Sequence, residues 1–149
     1  MPAESYFHVG MVVPALEPAL AELGTLLGLT WQPTIEVDVP VHPETCGDDR
    51  GDGTVHLRFA YSNESPQLEV IEAAPGTPWE LSEGSNLHHL GFCTDDLAAD
   101  SDRFAASGCP MQVCMRSADG QHPVAFSYHR GLGIRFELVE RAAADAFRR

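Results

Sequence analysis

The chain repeats itself. "HVGMVVPALEPALAEL", beginning at His8, aligns without a gap to "HLGFCTDDLAADSDRF", beginning at His89, at an offset of 89 − 8 = 81. Leu16 falls on Leu97 and Leu23 on Phe104, so the apolar positions of a strand and of the helix after it coincide. The ends of the halves match as well. "QLEVIE" (67–72) is similar to "RFELVE" (135–140), with Glu69 falling on Glu137 at an offset of 137 − 69 = 68. Each half therefore opens on a strand bearing a histidine and closes on a strand bearing a mid-strand glutamate. Self-similarity of this kind organises a fold before any single residue does.

The same pattern bears on the doubled histidine of "NLHHLGF" (86–92). Neighbouring side chains on a strand point to opposite faces, so His88 and His89 are not expected to serve one site. The shared motif is His-apolar-Gly-apolar, and His89 matches it while His88 does not. His88 is expected to face the helix side or a strand edge in a structural role.

Local signals spell out two units of one order. "YFHVGMVV" reads as a strand and "ALEPALAELGTLLG" as a helix that tolerates Pro18 near its start and stops at Gly28. "TIEVDVPV", "TVHLRFAYS" and "QLEVIEAA" follow as strands around the loop "PETCGDDRGDG". "PGTPWELSEGS" joins the halves. "NLHHLGFCT", a helix over "DLAADSDRFAASG" capped by Thr94 or Asp95, and the strands "CPMQVCMRS", "PVAFSYH" and "GIRFELVE" complete the second unit. "RGLG" is a hairpin turn, and the tail "RAAADAFRR" is a short helix or frays. The order is βαβββ twice, an α+β fold. One domain is expected over residues 1–149, with modules at about 5–74 and 86–141 and a short C-terminal tail.

Composition limits the partners. A net charge of −13 argues against nucleic acid and anionic membranes, which need positive potential. No apolar run approaches the ~20 residues that span a bilayer, and "MPAESYFHVG" lacks the marks of a secretory signal. The four cysteines, Cys46, Cys93, Cys109 and Cys114, form no CxxC pair. Reduced thiols in a cytoplasmic protein are the expectation.

Alternation places His8, Glu69 and Glu137 opposite the apolar faces of their strands. Tyr6, Gln67 and Arg135 lie two residues before such positions and are candidates to line a cavity. Arg135 is alternatively a partner for a ligand carboxylate. Ionised glutamates inside a strand buried on both faces need compensation, because desolvating a charge is costly. Two histidines and two glutamates converging on one concave sheet meet that need by holding a divalent metal. Taken one at a time, each is as well read as a solvent-facing residue. His129 and Arg130 adjoin the "RGLG" turn and are weaker substrate candidates, and His42, His56 and His122 read as loop or surface residues.

"HVGMVV", "LEVIEA", "LHHLGFCTDDL" and "IRFELVE" together resemble the vicinal oxygen chelate superfamily, which includes glyoxalase I, methylmalonyl-CoA epimerase, extradiol dioxygenases and bleomycin-resistance proteins. The resemblance spans nearly the whole chain. It implies a concave eight-stranded mixed sheet built from tandem βαβββ modules, and a homodimer. It also implies one divalent metal (Zn, Ni, Co, Mn or Fe) on His8, Glu69, His89 and Glu137. The second-module motif is closest to that of the epimerases, which often have a doubled histidine there. Epimerases, however, usually carry Gln where this chain has Glu69, and the basic loops that recognise CoA or glutathione have no counterpart that can be located here.

A metal so held leaves room for two substrate oxygens, polarises a carbonyl and stabilises an enediolate. A nearby carboxylate moves the proton. The resemblance favours Glu137 as that base, with Glu69 as the alternative. The expected activity is a metal-dependent isomerase, epimerase or lyase acting on a small oxygenated molecule. Two other readings stand beside it. One is an Fe(II)-dependent dioxygenase, against which the fourth ligand counts. The other is a metal-free binding or resistance protein, against which the complete ligand set counts.

Overall fold

The computed structural model describes residues 5–43 and 53–147. Cys46 and most of the acidic loop after the second strand lie outside the described residues. The first module comprises β1 (Tyr6–Val13), α1 (Leu16–Leu27), β2 (Ile35–Pro43), β3 (Gly53–Tyr61) and β4 (Gln67–Glu72). The second comprises β5 (Leu87–Thr94), α2 (Leu97–Ala106), β6 (Met111–Arg116), β7 (Pro123–Gly131) and β8 (Ile134–Glu140), and α3 (Arg141–Phe147) follows. The tandem βαβββ order and mixed eight-stranded sheet expected from the sequence are what is found.

The sheet curls until it closes, in the order β1-β4-β3-β2-β6-β7-β8-β5. Its two seams differ. β1 and β5 run antiparallel along most of their length, whereas among the described residues β2 meets β6 through His42↔Cys114 and Pro43↔Val113. Within each module the first and last strands are parallel neighbours, β1 beside β4 and β5 beside β8. That pairing and the β1–β5 seam bring the four strands bearing the histidines and glutamates side by side.

The helices are fastened from the sheet. Ala15 offers α1 no capping side chain, so the N–H of Leu16 donates to Glu72 Oε2 at 3.0 Å from the end of β4. Gly28 closes the helix in the left-handed region, φ 70°. The cap of α2 is Asp96, which accepts from the Ala99 N–H at 3.0 Å, one residue after the expected Thr94 or Asp95. Those two are otherwise engaged: Thr94 accepts the Asp96 N–H, and Asp95 pairs with Arg141. Val13, Leu16 and Val70 pack between α1 and the sheet, and Phe104 of α2 packs against Phe136. The main core lies inside the barrel, with Val39, Leu57, Phe59, Ile71, Trp79 and Val139 among its members. No helix among the described residues is long and apolar enough to cross a membrane.

Two irregularities in the β1–β5 seam decide what faces inward. The pairs Tyr6↔Phe92 and His8↔Gly91 leave Phe7 as an extra residue, and Gly10↔His89 and Met11↔Leu87 leave His88 as another. A bulge of this kind breaks strict alternation. Phe7 and His88 are equivalent under the 81-residue repeat, so each module carries its bulge one residue before the histidine of the shared motif. Phe7 turns inward to stack on Tyr61 and His88 turns inward against Tyr128, with centroids 5.7 and 5.6 Å apart. The expectation that His88 would face away from His89 is therefore corrected. The same bulge puts Tyr6 on the outer face beside Phe92, not with His8.

Candidate metal centre

His8, Glu69, His89 and Glu137 meet inside the barrel. His8 and His89 have no exposed surface, and Glu69 and Glu137 are 6% and 7% exposed. One donor atom from each lies within 4.8 Å of all the others. The two Nε2 atoms are 2.7 Å apart. Glu137 Oε2 is 3.0 Å from His8 Nε2 and 3.3 Å from His89 Nε2, and Glu69 Oε2 is 3.4 and 3.1 Å from them.

The glycine of the shared motif has a physical reason. A Cβ at Gly10 would lie 1.9 Å from His89 Cε1, and one at Gly91 would lie 2.3 Å from His8 Cε1. Each module's histidine thus occupies the space that a side chain would need on the other module's strand.

Electrostatics in the cluster are mutually dependent. Burial pulls His8 down, but Glu69 and Glu137 outweigh it and hold the imidazole at about 9. His89 is also raised, with burial opposed chiefly by Glu137. Burial pushes both carboxyls up, and the two histidines more than reverse this, leaving Glu69 and Glu137 below the usual carboxylate range. Yet the contacts are poor as hydrogen bonds: Glu69 Oε2, Glu137 Oε2 and His8 Nδ1 are buried with no hydrogen-bond partner. Buried carboxylate oxygens are costly to leave in that state. Four-coordinate ligands at about 2.0–2.1 Å from a divalent ion sit about 3.3 Å from one another. The five spacings that involve a histidine, 2.7–3.4 Å, are close to that. Two neutral imidazoles and two carboxylates would also neutralise a dication, so the residues fit the group.

Around this centre lie aromatic residues that the sequence reading overlooked. Tyr61 pairs across strands with Glu69, and Tyr128 with Glu137. Trp79, 1% exposed, donates from Nε1 to the Tyr128 hydroxyl at 3.3 Å. A signal for the tyrosines was present: "FAY" (59–61) and "FSY" (126–128) recur at an offset of 67. For Trp79 the signal was a large aromatic residue inside a Pro- and Gly-rich connection.

Beside the four clustered residues is a cavity of about 210 Å³. Val39, Leu57, Phe59, Trp79, Phe126 and Val139 give it an apolar wall, and Tyr61, Tyr128, Glu69 and Glu137 give it a polar end. Tyr6, Gln67, His129 and Arg135 are not among its lining residues. Gln67 is buried and donates to the Ser62 carbonyl, and Arg135 donates to Gln112 Oε1 at 3.1 Å instead of pairing with a ligand carboxylate. His129 lies under α2, between Ser127 Oγ and the Cys109 carbonyl and against Phe104. His56 is exposed and pairs with Asp38, and His122 and Arg130 are exposed as well.

Residues 7–126 match the profile of the Glyoxalase/Bleomycin resistance protein/Dioxygenase superfamily. The chain belongs to that superfamily. None of the curated proteins compared matches it. Among solved structures, a variant of Streptomyces coelicolor methylmalonyl-CoA epimerase bound to 2-nitronate-propionyl-CoA is similar at a TM-score of 0.62 and 18% identity. That match covers 93% of this chain and 98% of the epimerase. The epimerase of Mycobacterium tuberculosis is similar at 0.54 and 21% identity, covering 94% and 92%. A hypothetical protein from Bacillus halodurans C-125 is similar at 0.57 and 14% identity, covering 91% and 93%. At these identities the superfamily member shares the fold of the epimerases.

Proposed function

We propose that the protein is a divalent-metal-dependent isomerase, epimerase or lyase acting on a small molecule with two adjacent oxygens and an apolar body. One observation carries the reading: two buried carboxylate oxygens without hydrogen-bond partners converge with two imidazole nitrogens at the end of an apolar cavity.

His8 and His89 would supply neutral nitrogen ligands through Nε2, and Glu69 and Glu137 would supply oxygen. A bound metal would act as a Lewis acid, polarising a carbonyl and stabilising the negative charge left when a neighbouring proton departs. Glu137, our choice of base, takes that proton and returns it, since a carboxylate that gives up its cationic neighbours in an apolar cavity becomes more basic. Tyr128 stands directly across the β7–β8 pair from Glu137, as Tyr61 stands across the β3–β4 pair from Glu69, and each helps to hold that carboxylate in place. Trp79 and Phe126 exclude water from the reacting carbon. The cavity wall carries no Lys or Arg among the described residues, which favours an uncharged body over one bearing phosphates.

The test is solvent exchange. Metal-loaded protein incubated with an aryl α-hydroxyketone in D₂O should place deuterium at the carbon beside the carbonyl without consuming oxygen. Zn²⁺, which has no redox chemistry, should support it. Glu137→Gln should suppress exchange more than it weakens binding, because an amide coordinates weakly but accepts no proton. Oxygen uptake strictly dependent on Fe²⁺, with no deuterium incorporated, would transfer the assignment to a dioxygenase.

A further inference from the structure

The two histidines at the centre are not equivalent, and His88 makes the difference. Its Nε2 lies 2.8 Å from the carbonyl oxygen of Pro78. A carbonyl only accepts, so Nε2 carries the hydrogen. The ring is 6% exposed and, among the described residues, no carboxylate is hydrogen-bonded to it, so with the hydrogen on Nε2 its Nδ1 presents a lone pair. That lone pair is 2.8 Å from His89 Nδ1. Two lone pairs do not face each other at that distance. His89 Nδ1 must therefore be the donor, which leaves its Nε2, the atom in the four-residue cluster, free to ligate.

Nothing similar backs the other histidine. His8 Nδ1 is buried without a hydrogen-bond partner, and the residue equivalent to His88 is Phe7, which packs edge-on against the His8 ring at 4.5 Å. On the side away from the cluster the His8 ring is held by packing, between Phe7, Tyr61 and the hollow at Gly91. Hydrogen bonding to the remote nitrogen of a ligating imidazole fixes its tautomer and raises its basicity.

We infer that His88 is a positioning residue that holds His89 as the Nε2-ligating tautomer and makes it the anchor of the metal centre. Through Pro78 the same ring ties the segment between the modules, with Trp79 of the cavity wall, to that ligand. The inference rests on the proposed metal centre.

The experiment exchanges His88 for the residue that the first module uses. His88→Phe keeps a ring against Tyr128 but removes both hydrogen bonds. His88→Gln restores an acceptor toward His89 and a donor toward Pro78. With Co²⁺ as the probe, H88F should bind about 10- to 100-fold more weakly than wild type. H88Q should recover most of that loss, and metal-free H88F should keep the wild-type circular dichroism spectrum. Equal affinity of H88F and wild type would overturn the inference, as would an H88Q no better than H88F. Nitrogen-15 spectra of metal-free wild type give a readout that needs neither metal nor a folded variant. They should show His88 with a protonated Nε2 and an unprotonated Nδ1, and a cationic His88 or the opposite tautomer would also overturn it. Wild type that takes up no Co²⁺, with the His88 spectrum as expected, would refute the metal reading instead.

Discussion

Adding one methyl group at Gly10 should disable a ligand on the opposite module. The Cβ of Gly10→Ala would lie 1.9 Å from His89 Cε1 and 2.3 and 2.4 Å from the ring nitrogens. Ordinary carbon contacts are about 3.5–4.0 Å, so the ring has to retreat by about 1.5–2 Å. Metal–ligand distances tolerate about 0.2 Å. Overpacking of this kind costs about 1–3 kcal/mol, and His89 should be lost as a ligand. Removing the ring should remove the clash, so G10A/H89A should be no less stable than H89A alone. The assay is urea denaturation of wild type, both single variants and the double, with Zn²⁺ titrations of each. Gly53→Ala, with nothing within 4 Å of the new Cβ, is the control. Additive losses across the cycle, or wild-type Zn²⁺ affinity in G10A, would refute the reasoning, because neighbours that clash must couple.

Stripping the metal from purified protein should lower its melting temperature, because a ligand bound only by the native state stabilises it. An unchanged melting curve after verified removal would point to an adventitious site. In the stripped protein His8 is held at about 9, above its ordinary 6.5. Its contribution is thus fully present below pH 6.5 and lost as pH rises through about 9. Stripped protein should melt earlier at pH 10 than at pH 6.5, and a flat profile would contradict the contacts drawn between His8 and the two glutamates. At the β7–β8 hairpin, Leu132 is 97% exposed with φ 55°. Leu132→Asn should therefore raise stability by about 1 kcal/mol in thermal melts, since the left-handed region disfavours Leu and accepts Asn.

Glu69 and Glu137 could be read from the sequence because each lies on a regular part of its strand, where alternation and repeat agree, and His8 and His89 because the repeat matches them although a bulge adjoins each. Glu69 and Glu137 are the clearest cases. A one-residue bulge leaves no such periodic trace. Alternation therefore put Tyr6 with His8 and turned His88 away from His89, and the placements fail at the two bulges of the β1–β5 seam, one at Phe7 and one at His88. His129 illustrates a different limit: nearness in sequence to the hairpin turn says nothing about face, and its strand turns it under α2. Trp79 belongs to no periodic element, so only the finished barrel shows what it covers. The tyrosines recur at a fixed offset and were open to the comparison that found the ligands, but uncharged aromatic residues on strands read as ordinary packing.

The reciprocal contact, His8 over Gly91 and His89 over Gly10, has the form of a twofold interface in which residue i meets j and j meets i. Two copies of a single ancestral module would have made it twice by symmetry, and joining them end to end would have preserved both halves of the exchange. Since then the two modules have been free to diverge around the cluster, and Phe7 at the position where the second module has His88 shows that they have. Neither can gain a carbon atom at its glycine without dislodging a histidine that belongs to the other, so the pair inherits its change jointly.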